Sequence, residues 1–308
     1  MASVEEKTGR PEIIETSLYA ELPEKFRRRN TKSEWAQANR RGAEIDSFLE
    51  GPCFDEDGNL YVVDIPFGRI FRIAPDKSWS LVVEYEGEPN GLALHPDGRL
   101  FITDYRNGLL AIRPETGQID VVLGRRNSER FKGVNDLTFA EDGTLYFTDQ
   151  GQTGLHDPSG RVFRYQSNGH LDCLIANGPS PNGLVLATEQ DVLFVAMTRD
   201  NSVWRVPLLP DGMTGKVGRF ASFHGSAGPD GMAVDPAGNL FVAHASLGKI
   251  FVLNPEGYEI AHIRSCRGKT TTNLTFGGEH SQSIFITESE SGSILRAEWV
   301  APVIDEIL

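Results

Sequence analysis

Short apolar runs recur along this chain at a regular spacing. "LYVVD" at 60–64, "LFITD" at 100–104, "LYFTD" at 145–149, "VLFVAM" at 192–197, "LFVAH" at 240–244 and "SIFITE" at 283–288 are all rich in β-formers. Each follows another apolar stretch and a tight turn, of the "PDGR" or "EDGT" kind in several of them, whose Asp-Gly pair supplies the positive φ a hairpin needs. A Gly-containing loop and a third strand such as "RIFRI" come next, then a more variable fourth segment such as "SWSLVVEYEG". The units begin at Glu50, Asn90, Asn135, Asn182, Asp230 and Asn273, 40 to 48 residues apart, and cover almost everything from Glu50 to Ala297.

Four short antiparallel strands repeated six times predict an all-β fold, a six-bladed β-propeller over residues 50–308. A β-sandwich would leave the six similar units unexplained. Residues 1–49 stand outside the repeat and are expected to pack on the propeller or close it. Within them "TKSEWAQANRR" (31–41) predicts a short helix, with the Thr31 to Glu34 spacing of a capping box. "EIIETSLYAEL" (12–22) is a candidate strand completing the last blade, and the tail "EWVAPVIDEIL" competes for that place.

Composition narrows the function classes. With 308 residues, 39% of them hydrophobic, the chain can bury a large core. A net charge of −13 argues against nucleic acid or an anionic membrane as partner, since phosphate binding rests on clustered Lys and Arg. The three cysteines, Cys53, Cys173 and Cys266, show neither CxxC spacing nor an even disulfide framework. No apolar leader or 18-residue apolar run is present, so a cytoplasmic protein is expected.

The repeat starts carry the candidate chemistry. In a propeller the first strand of each blade is innermost, so Glu50, Asn90, Asn135, Asn182, Asp230 and Asn273 should ring the channel mouth. The loops beginning near Asp64, Asp104, Asp149, Met197, His244 and Glu288 should rise on the same face and wall a pocket. Asn and Asp also serve turns, which by itself accounts for the Asn-Gly pairs at 90 and 182. Turn chemistry does not account for Glu50, nor for two carboxylates around one axis. Oxygen-only donors at such a ring suit a hard cation, Ca²⁺ or Mg²⁺, with Mn²⁺ possible. An exposed ion of that kind polarises a carbonyl and acidifies water, which is the chemistry of metal-assisted hydrolysis.

The stretches "EGPCFDEDGNLYVVD", "RFKGVNDLTFAEDGTLYFTD", "SPNGLVL" and "GPDGMAVDPAGNLFVA" resemble the family of senescence marker protein, gluconolactonases and luciferin-regenerating enzyme, and are similar to drug-responsive lactonase. The resemblance runs from Glu50 onward. It implies a lactonase that hydrolyses a small lactone to a hydroxy acid with one divalent metal, Ca²⁺ first, with Mg²⁺, Mn²⁺ or Zn²⁺ as alternatives. Carried over by motif, it implies metal ligands at Glu50, Asn182 and Asp230, with Asn135 at or next to the metal. It also gives Asp230 the proton-transfer role and places Asn135 and Asp136 against substrate. The chain departs from the family where sugar-processing animal members place an Arg, here Gly133; Arg130 and Lys132 are near. That loss leaves room for a less polar lactone.

His244 is a further candidate for the pocket, able to shuttle protons, or else a histidine of the blade wall. His95, His156, His170, His224, His262 and His280 read as surface. No GxSxG elbow or Ser-His-Asp set is visible. Two other functions share the fold: an organophosphate hydrolase of the diisopropyl fluorophosphatase type, and a propeller that only binds protein partners.

Overall fold

The computed structural model describes residues 10–278 and 282–300. His280 and the tail residues 301–308 lie outside them. The described chain forms a six-bladed β-propeller with first strands Leu49–Phe54, Pro89–Leu94, Val134–Phe139, Pro181–Leu186, Pro229–Val234 and Thr271–Gly277. These strands neighbour one another in chain order, and that of blade six returns to that of blade one.

Alternation explains why the second strands read as nearly unbroken apolar runs. Successive side chains point to opposite faces of a sheet, and here both faces meet another blade. In blade one, Leu60 and Val62 pack toward blade six while Tyr61 and Val63 pack toward blade two. In blade five, Phe241 and Ala243 face blade six, whereas Leu240 and Val242 face blade four. The six buried clusters accordingly sit one at each blade interface. Side-chain donors tie neighbouring blades as well. Thr148 Oγ1 donates to the Asn182 carbonyl (2.7 Å), Thr198 Oγ1 to that of Pro229 (2.8 Å) and Ser289 Oγ to that of Leu49 (2.7 Å).

The N-terminal segment settles the competition for the open edge of blade six. Strand β1 (Glu12–Glu15) runs parallel to Glu259–Arg264 and adds a fifth strand to blade five. After Thr16, strand β2 (Ser17–Glu21) pairs antiparallel with Ser293–Glu298 as the fourth strand of blade six. Blade six is thus built from both ends of the described chain. Helix α1 (Glu34–Asn39) follows, but its cap is Ser33, whose Oγ accepts from the Ala36 amide (3.3 Å). Thr31 turns its hydroxyl back to the Arg29 carbonyl instead (3.3 Å). The helix seats Trp35 against Phe48, ring centroids 4.6 Å apart, and touches the 3₁₀ turn Ile65–Phe67. Among the described residues no helix is long and apolar enough to cross a membrane.

Candidate functional site

Every first strand departs from regular pairing where its ring residue sits. The register shifts between Glu50 and Cys53, Pro89 and Gly91, Val134 and Leu137, Pro181 and Leu184, Pro229 and Met232, and Thr271 and Asn273. Such irregularities re-aim a side chain, here into the channel. Asn90 and Asn182 lie within strands, and neither they nor Asn135 and Asp230 has positive φ. Turn chemistry therefore does not explain these residues.

Glu50, Asn90, Asn135, Asn182, Asp230 and Thr272 line one cavity of about 150 Å³. The sixth member is Thr272 rather than Asn273. Leu274 pairs with Ile286 as Leu92 pairs with Ile102 and Leu137 with Phe147, so Asn273 stands at the place of Gly91, Asp136, Gly183 and Gly231. That position forms a second layer below the ring, where two side chains need room. A Cβ on Gly91 would lie 2.7 Å from Asp136 Oδ1, and one on Gly231 would lie 2.1 Å from Asn273 Oδ1. Asp136 is buried in this layer, its Oδ1 accepting from the Leu137 amide (2.9 Å), and does not line the cavity. The substrate contact that the family resemblance implies for Asp136 thus has no cavity-lining position behind it.

Three carboxyls, those of Glu50, Asp136 and Asp230, act on one another through their charge here. Glu50 Oε2 accepts from the Gly51 amide (2.6 Å) and from Asn273 Nδ2 (3.0 Å). Burial nevertheless holds the Glu50 carboxyl above its ordinary range. Asp136 is pushed up to about 7 by burial and by the charge of Glu50. Asp230 is raised well above the usual carboxylate range by burial first, then by Glu50 and Asp136; Arg199 and a hydrogen bond with Asn182 oppose the rise. Asn135 Nδ2 donates to Gln150 Oε1 (2.9 Å), and Gln150 Nε2 donates on to Ser180 Oγ (3.0 Å). The Asn135 amide is thereby oriented by its neighbours.

Among the described residues no three His, Cys, Asp or Glu side chains gather as a metal-ligating group. The donors available at the ring are two carboxylates with amide oxygens, whose mutual repulsion a cation would relieve. That chemistry fits a hard divalent ion.

The walls come from residues just past the second strands. Ile65, Tyr105, Gln150, Thr198 and Ala245 line the cavity, one position beyond the residues from which the loops were expected to build it. Those preceding residues brace the backbone instead. Asp64 accepts from the Phe48 amide (2.7 Å), Asp104 from that of Glu88 (2.9 Å) and Asp149 from that of Gly133 (2.8 Å). His244, in the same register, is fully buried with ring centroids 6.3 Å from Phe223 and 6.0 Å from Phe251. It belongs to the blade wall, not to the cavity lining. Strand alternation is the reason: the last residue of the strand points between blades and the next one points inward.

The lining residues that went unread in the sequence include Trp35, Asn39 and Arg40 from α1 and its C-cap, and Arg199 after the second strand of blade four. Stepping one residue past each second strand would have found Tyr105, Gln150 and Thr198. Nothing local points to Trp35, which reaches the cavity only through the packing of α1. At Gly133, φ is +149° and a Cβ would lie 2.3 Å from the Tyr105 ring. Tyr105 thus fills that wall where a side chain at 133 would stand. Lys132 bonds to Ser159 and neither it nor Arg130 lines the cavity.

A propeller with a buried acid–amide ring at a small cavity defines the class structurally, and sequence comparison gives the family. Residues 48–290 match the family described as SMP-30/Gluconolactonase/LRE-like region, and the chain belongs to it. A gluconolactonase of Zymomonas mobilis is 31% identical over 274 residues, covering 79% of this chain and 76% of the relative. A lactonase drp35 of Staphylococcus aureus is 29% identical over 245 residues, covering 76% and 73%. In fold, the chain is similar to a gluconolactonase from Xanthomonas campestris, with TM-score 0.72, 24% identity and coverage of 82% and 86%. It is also similar to a calcium-binding regucalcin from Agrobacterium tumefaciens, with TM-score 0.73, 18% identity and coverage of 94% and 98%.

Proposed function

We infer that this protein is a lactone-ester hydrolase that opens a small lactone to its hydroxy acid. The observation that carries the reading is the ring itself: Glu50, Asn182 and Asp230 meet Asn135 on one cavity, in a family whose relatives include a gluconolactonase and lactonases. A divalent cation held by Glu50, Asn182 and Asp230, with Asn135 as fourth ligand or neighbour, would supply Lewis acidity toward the ester carbonyl; all-oxygen donors favour Ca²⁺.

The side chains supply orientation and proton transfer. Asp230 is poised to take a proton from water as its oxygen bonds to the carbonyl carbon, and to return it to the ring oxygen when that C–O bond breaks. No protein nucleophile is required. Asn135, held by Gln150, orients the ester, and Tyr105, Ile65 and Trp35 provide an apolar wall for the ring.

Asp230→Asn keeps an oxygen donor but removes the base. Its turnover is expected to fall on the order of 10²–10⁴-fold while calorimetry still detects Ca²⁺ binding. Hydrolysis in ¹⁸O water should label the product carboxylate, with no burst before steady state. Near wild-type turnover by metal-loaded Asp230→Asn, or a trapped acyl-enzyme, would contradict these roles.

A further inference from the structure

Two cations line the cavity among the described residues, Arg40 and Arg199, and they are held differently. Arg40 lies over the Phe48 ring, 5.7 Å from its centroid. Arg199 has neither an ion pair nor a side-chain hydrogen bond with any described residue, although its backbone is firmly placed. It sits in the 3₁₀ turn Thr198–Asp200, closed by Asn201 in the left-handed conformation. Thr198 Oγ1 anchors that turn to the Pro229 carbonyl, the residue before Asp230 (2.8 Å). The guanidinium is therefore carried on a short, braced arm beside Asp230.

Comparison between blades shows why Arg199 lacks a partner. Its counterpart in blade two is Arg106, two residues past the end of the second strand as Arg199 is in blade four. Arg106 Nε bonds to Glu88 (2.9 Å) and its guanidinium to Glu34 (2.8 Å). Glu88 precedes Pro89, which pairs with Asp104; in blade four Ser180 precedes Pro181, which pairs with Met197. Blade four has thus lost both the pairing acid and the acid at the strand end. Asp200, the nearest acid in sequence, is taken by Arg219 (2.8 Å). The fold places a guanidinium at the reaction cavity and leaves its donors for something else. Facing an anion, those donors offer the bidentate fork that recognises carboxylate.

We propose that Arg199 is a specificity-determining residue that receives a carboxylate substituent on the lactone, so that the preferred substrates are acidic lactones. The proposal rests on the lactonase reading. A ring of five or six atoms with one carboxylate suits a cavity of about 150 Å³, its apolar face toward Tyr105 and Ile65.

The test compares 5-oxotetrahydrofuran-2-carboxylate with its neutral carboxamide, measuring kcat/KM for wild type, Arg199→Gln and Arg199→Lys. Wild type should prefer the acid. The acid-to-amide ratio should fall about 10- to 100-fold in Arg199→Gln, the range for a lost charge-assisted hydrogen bond, and be partly kept in Arg199→Lys. A wild-type preference for the amide, or a ratio unchanged by Arg199→Gln, overturns the proposal. Should wild type hydrolyse neither compound, the lactonase reading fails on these substrates while Arg199 stays testable. The acid is then titrated as a ligand by calorimetry: weaker binding to Arg199→Gln than to wild type supports the anion site, and equal or absent binding overturns it.

Discussion

His244 shows how one residue's surroundings set its chemistry. It is fully buried, its Nε2 meets no hydrogen-bond partner among the described residues, and burial lowers its pKa to about 4 from an ordinary 6.5. The folded state therefore holds it neutral while the unfolded chain binds the proton more readily. Its contribution to stability is fully present above pH 6.5 and is lost as pH falls toward 4, on the order of 3 kcal/mol at most. His244→Gln removes the titrating group, so the stability gap between variant and wild type should narrow steadily from pH 7 to pH 4.5. Chemical denaturation across that range checks it; a gap independent of pH would show that His244 is not what titrates.

At the strand ends, buried acids hold neighbouring backbone in place. Arg69 is 1% exposed, and its Nε donates to Asp64 Oδ2 (2.9 Å) while Asp64 Oδ1 holds the Phe48 amide. Asp64→Ala would strand a buried guanidinium and an amide together, so a loss of about 3–5 kcal/mol is expected in denaturant unfolding. A loss below about 1 kcal/mol would mean that water replaces the carboxylate at little cost. The repeat, the strands and the ring at Glu50, Asn135, Asn182 and Asp230 were legible because apolar runs and turn residues recur in register. What the letters obscured was one-residue phase. Asn273 was matched to other asparagines, although the apolar residue Leu274 aligns with Leu92 and Leu137 and puts Thr272 on the ring. Acids at strand ends read as pocket walls because a carboxylate at a loop start looks functional. In the structure backbone amides claim Asp64, Asp104 and Asp149.

At the scale of the molecule, ring closure and cavity share one segment. The residues between β2 and blade one carry α1, so the segment that completes blade six also brings Trp35 and Arg40 to the cavity. Local pattern could not reveal this, because an edge strand's partner is set by closure of the whole ring. The same closure brings six strand starts to one axis, where Glu50 and Asp230 stand with Asp136 beneath them, and it is there that the proposed function sets a cation. Hydrolysis of a small-lactone panel by chelator-treated protein, before and after adding back Ca²⁺, Mg²⁺ or Mn²⁺, tests that claim most directly. Ring opening should disappear with the chelator and return with a divalent ion in wild type but not in Asp230→Ala. Lactone hydrolysis that persists undiminished after the metal is stripped would contradict it.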